Sequence, residues 1–91
     1  MEKVKIGDKE YKIGKLNLGD MNRILKYREK KKMDDYDFAS HIMWYAIDKY
    51  NPDQLTVQQL ENTIDIDVFP EIQEKIYEVS GMKKYFNRGL A

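Results

Sequence analysis

The sequence predicts a mainly α protein, with a small N-terminal β-hairpin packed on a compact bundle of about four short helices. Three observations carry that expectation. Near the start, apolar and polar residues alternate in Val4-Lys5-Ile6 and again in Tyr11-Lys12-Ile13. Beyond residue 17 the apolar residues recur instead at helical spacing. The punctuation between apolar stretches consists of helix caps and helix breakers, notably Asn17, Asn51-Pro52, Thr56, Pro70 and Gly81.

Residues 2–13 read as the hairpin, with Gly7-Asp8-Lys9-Glu10 as its turn. A lone hairpin is marginal in water, so this one must lean on the helices that follow. The first helix opens at Leu16-Asn17-Leu18-Gly19-Asp20-Met21. Asn17 suits the N-cap, Asp20 follows three residues later, and Leu16 can staple to Met21 across the first turn. Asp20 also places negative charge at the positive end of the helix dipole. The helix continues through Ile24, Leu25 and Tyr27 to Lys30-Lys31-Lys32, whose charges suit a carboxyl end.

Met33-Asp34-Asp35 turns the chain into a second helix over residues 36–50. At about 100° per residue, Tyr36, Ala39, Ile42, Met43, Ala46, Ile47 and Tyr50 form one broad apolar arc. Phe38 and Tyr45 lie nearly opposite, Trp44 stands apart from both, and Asp37, His41 and Asp48 make a narrow polar stripe. A helix apolar over most of its circumference is either central to the fold or bound to a partner, and both readings stand at this point.

After the break at Asn51-Pro52-Asp53-Gln54, a short third helix repeats the opening device with Thr56 as cap, Gln59 reciprocating and Leu55 stapled to Leu60. It is expected to end near Thr63 or Ile64. A fourth helix follows, capped by Asp67, with Pro70 in its first turn and Gly81 as its left-handed stop. Val68, Ile72, Ile76 and Val79 give it one apolar face, and Met82 can fold back toward Ile76 or Tyr77. Residues 17–82 thus make the helical body of a single domain spanning 1–91. The tail 83–91 offers Tyr85 and Phe86 to pack on that body, with its last residues expected to be loose.

With 91 residues, 42% hydrophobic and 35% charged, the chain suits one modest core. It contains no cysteine, so disulfides, thiolate metal sites and cysteine nucleophiles are excluded. The longest apolar run is too short to span a bilayer, and no secretory signal is visible at the start. The expected location is therefore the cytoplasm, with no membrane partner. Net charge is zero but uneven: residues 1–33 hold 11 Lys/Arg against 5 Asp/Glu, and residues 34–91 the reverse, a +6/−6 split. Oppositely charged halves can attract within the fold or build head-to-tail contacts between copies. This balance disfavours a nucleic-acid surface, because the acidic half opposes phosphate.

Catalytic constellations are missing from the sequence. His41 falls four residues after Asp37, a spacing that reads as a solvent-facing pair, and the further ligands of a zinc site are lacking. Ser40 and Ser80 read as helix residues outside any nucleophile motif. Asp34, Asp35 and Asp37, and likewise Asp65 and Asp67, read as helix caps rather than a calcium loop. The glycines form no phosphate cradle. The expectation is no enzyme, no catalytic residue, no metal and no cofactor.

Three stretches together resemble the small tail assembly chaperones of long-tailed bacteriophages and prophages. They are the hairpin from Val4 to Ile13, the helix opening Leu16-Asn17-Leu18-Gly19-Asp20, and the pair Phe69-Pro70-Glu71-Ile72 and Val79-Ser80-Gly81-Met82. An aromatic-rich helix and an Asn-Pro-Asp break between them are also typical of that group. The resemblance implies a non-enzymatic protein in the bacterial host cytoplasm that coats the helical tape-measure protein. It would keep that partner soluble until the tail tube polymerises, and a frameshifted longer form often accompanies such proteins. Coating an extended partner needs spare apolar surface, which Phe38, Trp44 and Tyr45 offer, and weak self-contact, which the charge split offers. The competing expectation is a small phage regulatory or nucleic-acid-associated helical protein. It would use the basic stretch 26–32 with Lys26, Arg28, Lys30, Lys31 and Lys32.

Overall fold

In the computed structural model, which describes residues 2–88, the alternating segments pair as antiparallel strands β1 (Lys3–Ile6) and β2 (Lys9–Lys12). Val4 lies opposite Tyr11 and Ile6 opposite Lys9. This register puts Val4, Ile6 and Tyr11 on one buried face, with Ile13 following, and leaves Lys3, Lys5, Glu10 and Lys12 outside. The turn is tighter than expected. Only Gly7-Asp8 forms it, because Gly7 takes φ +64°, the left-handed geometry that a two-residue hairpin loop requires. Lys9 and Glu10 are therefore strand residues.

Among the described residues five helices follow: α1 (Leu18–Lys31), α2 (Asp35–Tyr50), α3 (Val57–Thr63), α4 (Phe69–Ser80) and α5 (Met82–Arg88). Their amino ends are closed mostly as the sequence indicates. The Asn17 side chain accepts from the Asp20 amide at 2.9 Å while the Asp20 carboxylate accepts from the Asn17 amide at 2.8 Å. Thr56 and Gln59 make the same reciprocal pair at the start of α3. Asp34 caps α2 through the Asp37 amide at 2.8 Å. At the far end of α1, Lys32 enters the left-handed region with φ 52° and its amide bonds back to Glu29.

The start of α4 departs from expectation. Neither Asp65 nor Asp67 caps it with a side chain; Val68 occupies the N-cap position with helical backbone angles and no side-chain bond. The physical reason lies just upstream, where the Val68 and Phe69 amides both donate to the Asp65 carbonyl at 3.1 Å. A chain already coiled in this way enters the helix without the extended residue from which a capping side chain reaches back. Gly81 ends α4 with φ +91°. Beyond it the expected tail is helical, as α5. Met82 is buried in the core, and Phe86 packs on Tyr77 with ring centroids 5.8 Å apart. Residues 89–91, where loose structure was expected, lie outside the described residues.

Every element contributes to one core. Ile13 after the hairpin, Ile24 of α1, Ile42, Met43 and Ile47 of α2, Leu60 of α3, Ile76 of α4 and Met82 of α5 are all fully buried. Helix α2 is central, packing against α1, α3, α4 and β2. Its buried arc is Ile42, Met43, Ala46 and Ile47, while Tyr36 at the start of that arc is 84% exposed. Asn51, at the C-cap of α2, ties the helices to the hairpin. Its side-chain amide accepts from the Lys12 N–H at 3.1 Å and donates to the Lys12 carbonyl at 2.8 Å.

The charge asymmetry is barely neutralised by direct contact. Among the described residues, Arg28–Asp35 at 3.1 Å is the ion pair joining a cation of residues 1–33 to a carboxylate of the later segment.

A candidate aromatic groove

Helices α1 and α2 lie side by side, and the chain after Asn51 returns past α2 into α3. Between them runs a groove of about 580 Å³. Its base is a row of rings. His41 stacks on Tyr27 with centroids 4.4 Å apart and planes 23° from parallel. His41 also meets Trp44 at 5.7 Å and 24°, and Trp44 meets Tyr45 edge-on at 6.4 Å and 81°. Residues 41, 44, 45 and 48 recur at i, i+3, i+4 and i+7, so one stripe of α2 presents His41, Trp44, Tyr45 and Asp48 together. Leu55 and Val57 form an apolar wall, and Arg23, Asp48 and Asp53 bring charge to the margins.

Two of these rings are held by hydrogen bonds. The Trp44 indole N–H donates to the Leu55 carbonyl at 2.7 Å, pinning the loop that forms the wall. The Tyr45 hydroxyl donates to the Asp20 carboxylate at 2.8 Å and accepts from the Arg23 guanidinium at 3.3 Å. Asp20 is only 4% exposed and also accepts from the Lys49 ammonium at 2.5 Å. Burial on its own would push this carboxyl up. The bonds from Lys49, the Asn17 amide and Tyr45 outweigh that and hold it below the ordinary carboxylate range. The helix cap of α1 is thus the anchor of a polar cluster supporting one side of the groove.

His41 differs from its expected setting. It is 5% exposed, stacks with two aromatic rings and makes no hydrogen bond to Asp37, which stays on the surface. The cause is that α1 sets Tyr27 against this stripe of α2, so a position that reads as polar on the isolated helix is covered. Loss of hydration pushes the imidazole pKa down, which keeps the ring neutral near pH 7.

The three aromatics expected to meet a partner are divided. Trp44 and Tyr45 line the groove, both half-buried. Phe38, 9% exposed, belongs to the core and borders a separate cleft with Ile42, Tyr77 and Phe86. The Arg28 guanidinium covers its ring at 4.1 Å from the centroid. Arg28 is thereby withdrawn from the basic stretch 26–32, and Lys31 reaches over Tyr27 at 5.9 Å. Lys26, Lys30 and Lys32 remain on the surface.

The sequence-level reading missed Tyr27, His41, Leu55 and Val57 as groove residues. The i+3 and i+4 spacing of Trp44 and Tyr45 from His41 was the available signal. Nothing local in the sequence pairs them with Tyr27 or Leu55. Among the described residues no group of three or more His, Asp or Glu side chains could hold a metal ion, and no helix is long and apolar enough to cross a membrane. Comparisons with protein families, with curated proteins and with solved structures find no match.

Proposed function

We propose that this protein is a non-enzymatic tail assembly chaperone of a bacteriophage or prophage. In this reading it binds the tape-measure protein and keeps that long helical partner soluble until the tail tube polymerises. The observation that carries the reading is the groove: rigid aromatic rings and an apolar wall, framed by charge, make the kind of surface on which apolar anchors of a helix dock. The resemblance of the hairpin, the first helix opening and the fourth helix to that family points the same way. Exposed Leu18, Tyr36 and Ile66 add apolar surface elsewhere on the molecule. The engagement of Arg28 with Phe38 and Asp35 leaves the basic stretch a weaker phosphate surface than its composition suggests.

The test is capture with a tagged copy from the native host after phage or prophage induction, washed at low and high salt. One very long, helix-rich protein retained at both salts, and soluble on co-expression only with this chain, is the expected result. Nucleic acid that washes away as salt rises would overturn it in favour of the regulatory alternative.

A further inference from the structure

We propose that the groove takes a tyrosine side chain of a partner segment, its hydroxyl hydrogen-bonded to His41, with a neighbouring lysine or arginine paired to Asp48 and Asp53. This deepens, and rests on, the reading of the protein as a partner-binding chaperone. The His41 ring stacks with Tyr27 and with Trp44, and what little of the residue remains exposed borders the groove. Among the described residues its imidazole has no hydrogen-bond partner. A neutral imidazole carries one N–H donor and one acceptor nitrogen. An aliphatic anchor laid over it would strip its water and return nothing, which is costly. A charged anchor would itself be desolvated against Trp44 and Leu55. A phenol fits best, because its ring suits the apolar lining and its hydroxyl both donates and accepts, whichever tautomer His41 adopts. An indole can only donate.

The charges at the margin set what flanks the anchor. Arg23 is already matched by Asp20 and Tyr45. Asp48 and Asp53 form no ion pair among the described residues; Asp48 accepts only the Asp53 amide, at 3.1 Å. Two unmatched carboxylates beside an apolar groove favour a cation next to the anchor.

The experiment exploits Trp44, the single tryptophan of the chain. Its indole N–H resonance and its fluorescence are followed while short acetylated, amidated peptides are titrated to millimolar concentration. The first peptide centres on Lys-Tyr-Lys, the second on Lys-Phe-Lys and the third on Glu-Tyr-Glu. The Lys-Tyr-Lys peptide should shift Trp44 saturably. The phenylalanine version should bind about three- to tenfold more weakly, the loss of one net hydrogen bond. The glutamate version should be weaker still at low salt. His41→Phe keeps the ring stack and should bind the first two peptides equally, and Asp53→Asn, at an exposed position, should narrow the gap between lysine and glutamate. Equal binding of tyrosine and phenylalanine peptides by the unaltered protein would overturn the proposal. So would a tyrosine preference surviving His41→Phe, or no movement of Trp44 with any peptide. If the long helical partner is captured undiminished by groove variants, the chaperone reading stands and this site falls. If the peptides bind as expected but no such partner is captured, the site stands and the chaperone reading falls.

Discussion

Replacing Asn51 with alanine should cost about 2–4 kcal/mol of stability, concentrated where the hairpin meets the helices. The side chain is buried and makes three backbone hydrogen bonds: from the Lys12 N–H at 3.1 Å, to the Lys12 carbonyl at 2.8 Å and to the Ile47 carbonyl at 2.8 Å. It imitates a further strand, pairing with the free edge of β2 while remaining attached to the end of α2. Each such bond is worth about 0.5–1.5 kcal/mol net, and alanine replaces none of them. Urea unfolding followed at Trp44 should show a lower midpoint with an unchanged slope, since the surface exposed on unfolding stays the same. Hydrogen exchange supplies the local test. The Lys12 amide should lose protection more than amides in the centre of α2, because separating the hairpin becomes easier than unfolding the whole. A loss below about 0.5 kcal/mol, or a Lys12 amide as protected as before, would refute the view that this amide holds the two parts together.

Asp20→Asn should lower stability by about 1–3 kcal/mol at neutral pH, since the partners of a buried carboxylate lose its charge. Because the folded-state pKa of Asp20 lies below its ordinary value of 3.8, its contribution is present above that pH and is lost as pH falls through the folded value. Thermal unfolding between neutral and acid pH should therefore show a weaker acid dependence in the variant than in the parent. Phe38→Ala should cost about 2–4 kcal/mol in denaturant unfolding, whereas Tyr36→Ser, on the same helix but 84% exposed, should stay within about 0.5 kcal/mol. Gly81→Ala should cost about 1–2 kcal/mol through backbone strain alone, because its φ is +91° while a Cβ there would meet nothing within 4 Å.

Much of the fold is legible wherever a few neighbouring residues suffice to define it. The capping boxes Asn17/Asp20 and Thr56/Gln59 each need four consecutive residues, and both form. The alternation of Val4, Ile6 and Tyr11 needs only the two-residue period of a strand, and those residues are buried. The expectation fails where a residue's environment comes from a distant segment. One failure is local: Asp67 looks like a cap until the coil at Asp65, just upstream, makes one unnecessary. His41 looks polar and solvated until Tyr27 and Trp44 enclose it. Phe38 looks spare until Arg28 and the α4–α5 side cover it.

By itself, then, the sequence determined the class of fold, the order of its elements up to α4 and most of their ends, because turns, caps and periodicity act over a few residues and need no partner. Only the tertiary structure decided which of the apolar faces of α2 is core, that a buried carboxylate at the cap of α1 gathers Tyr45, Lys49 and Arg23, and that four rings meet in one groove. Those outcomes depend on contacts between residues such as Tyr27 and His41, or Lys12 and Asn51, that lie far apart in the chain. Burial, and with it hydration and charge state, follows from such contacts rather than from the identity of any one residue.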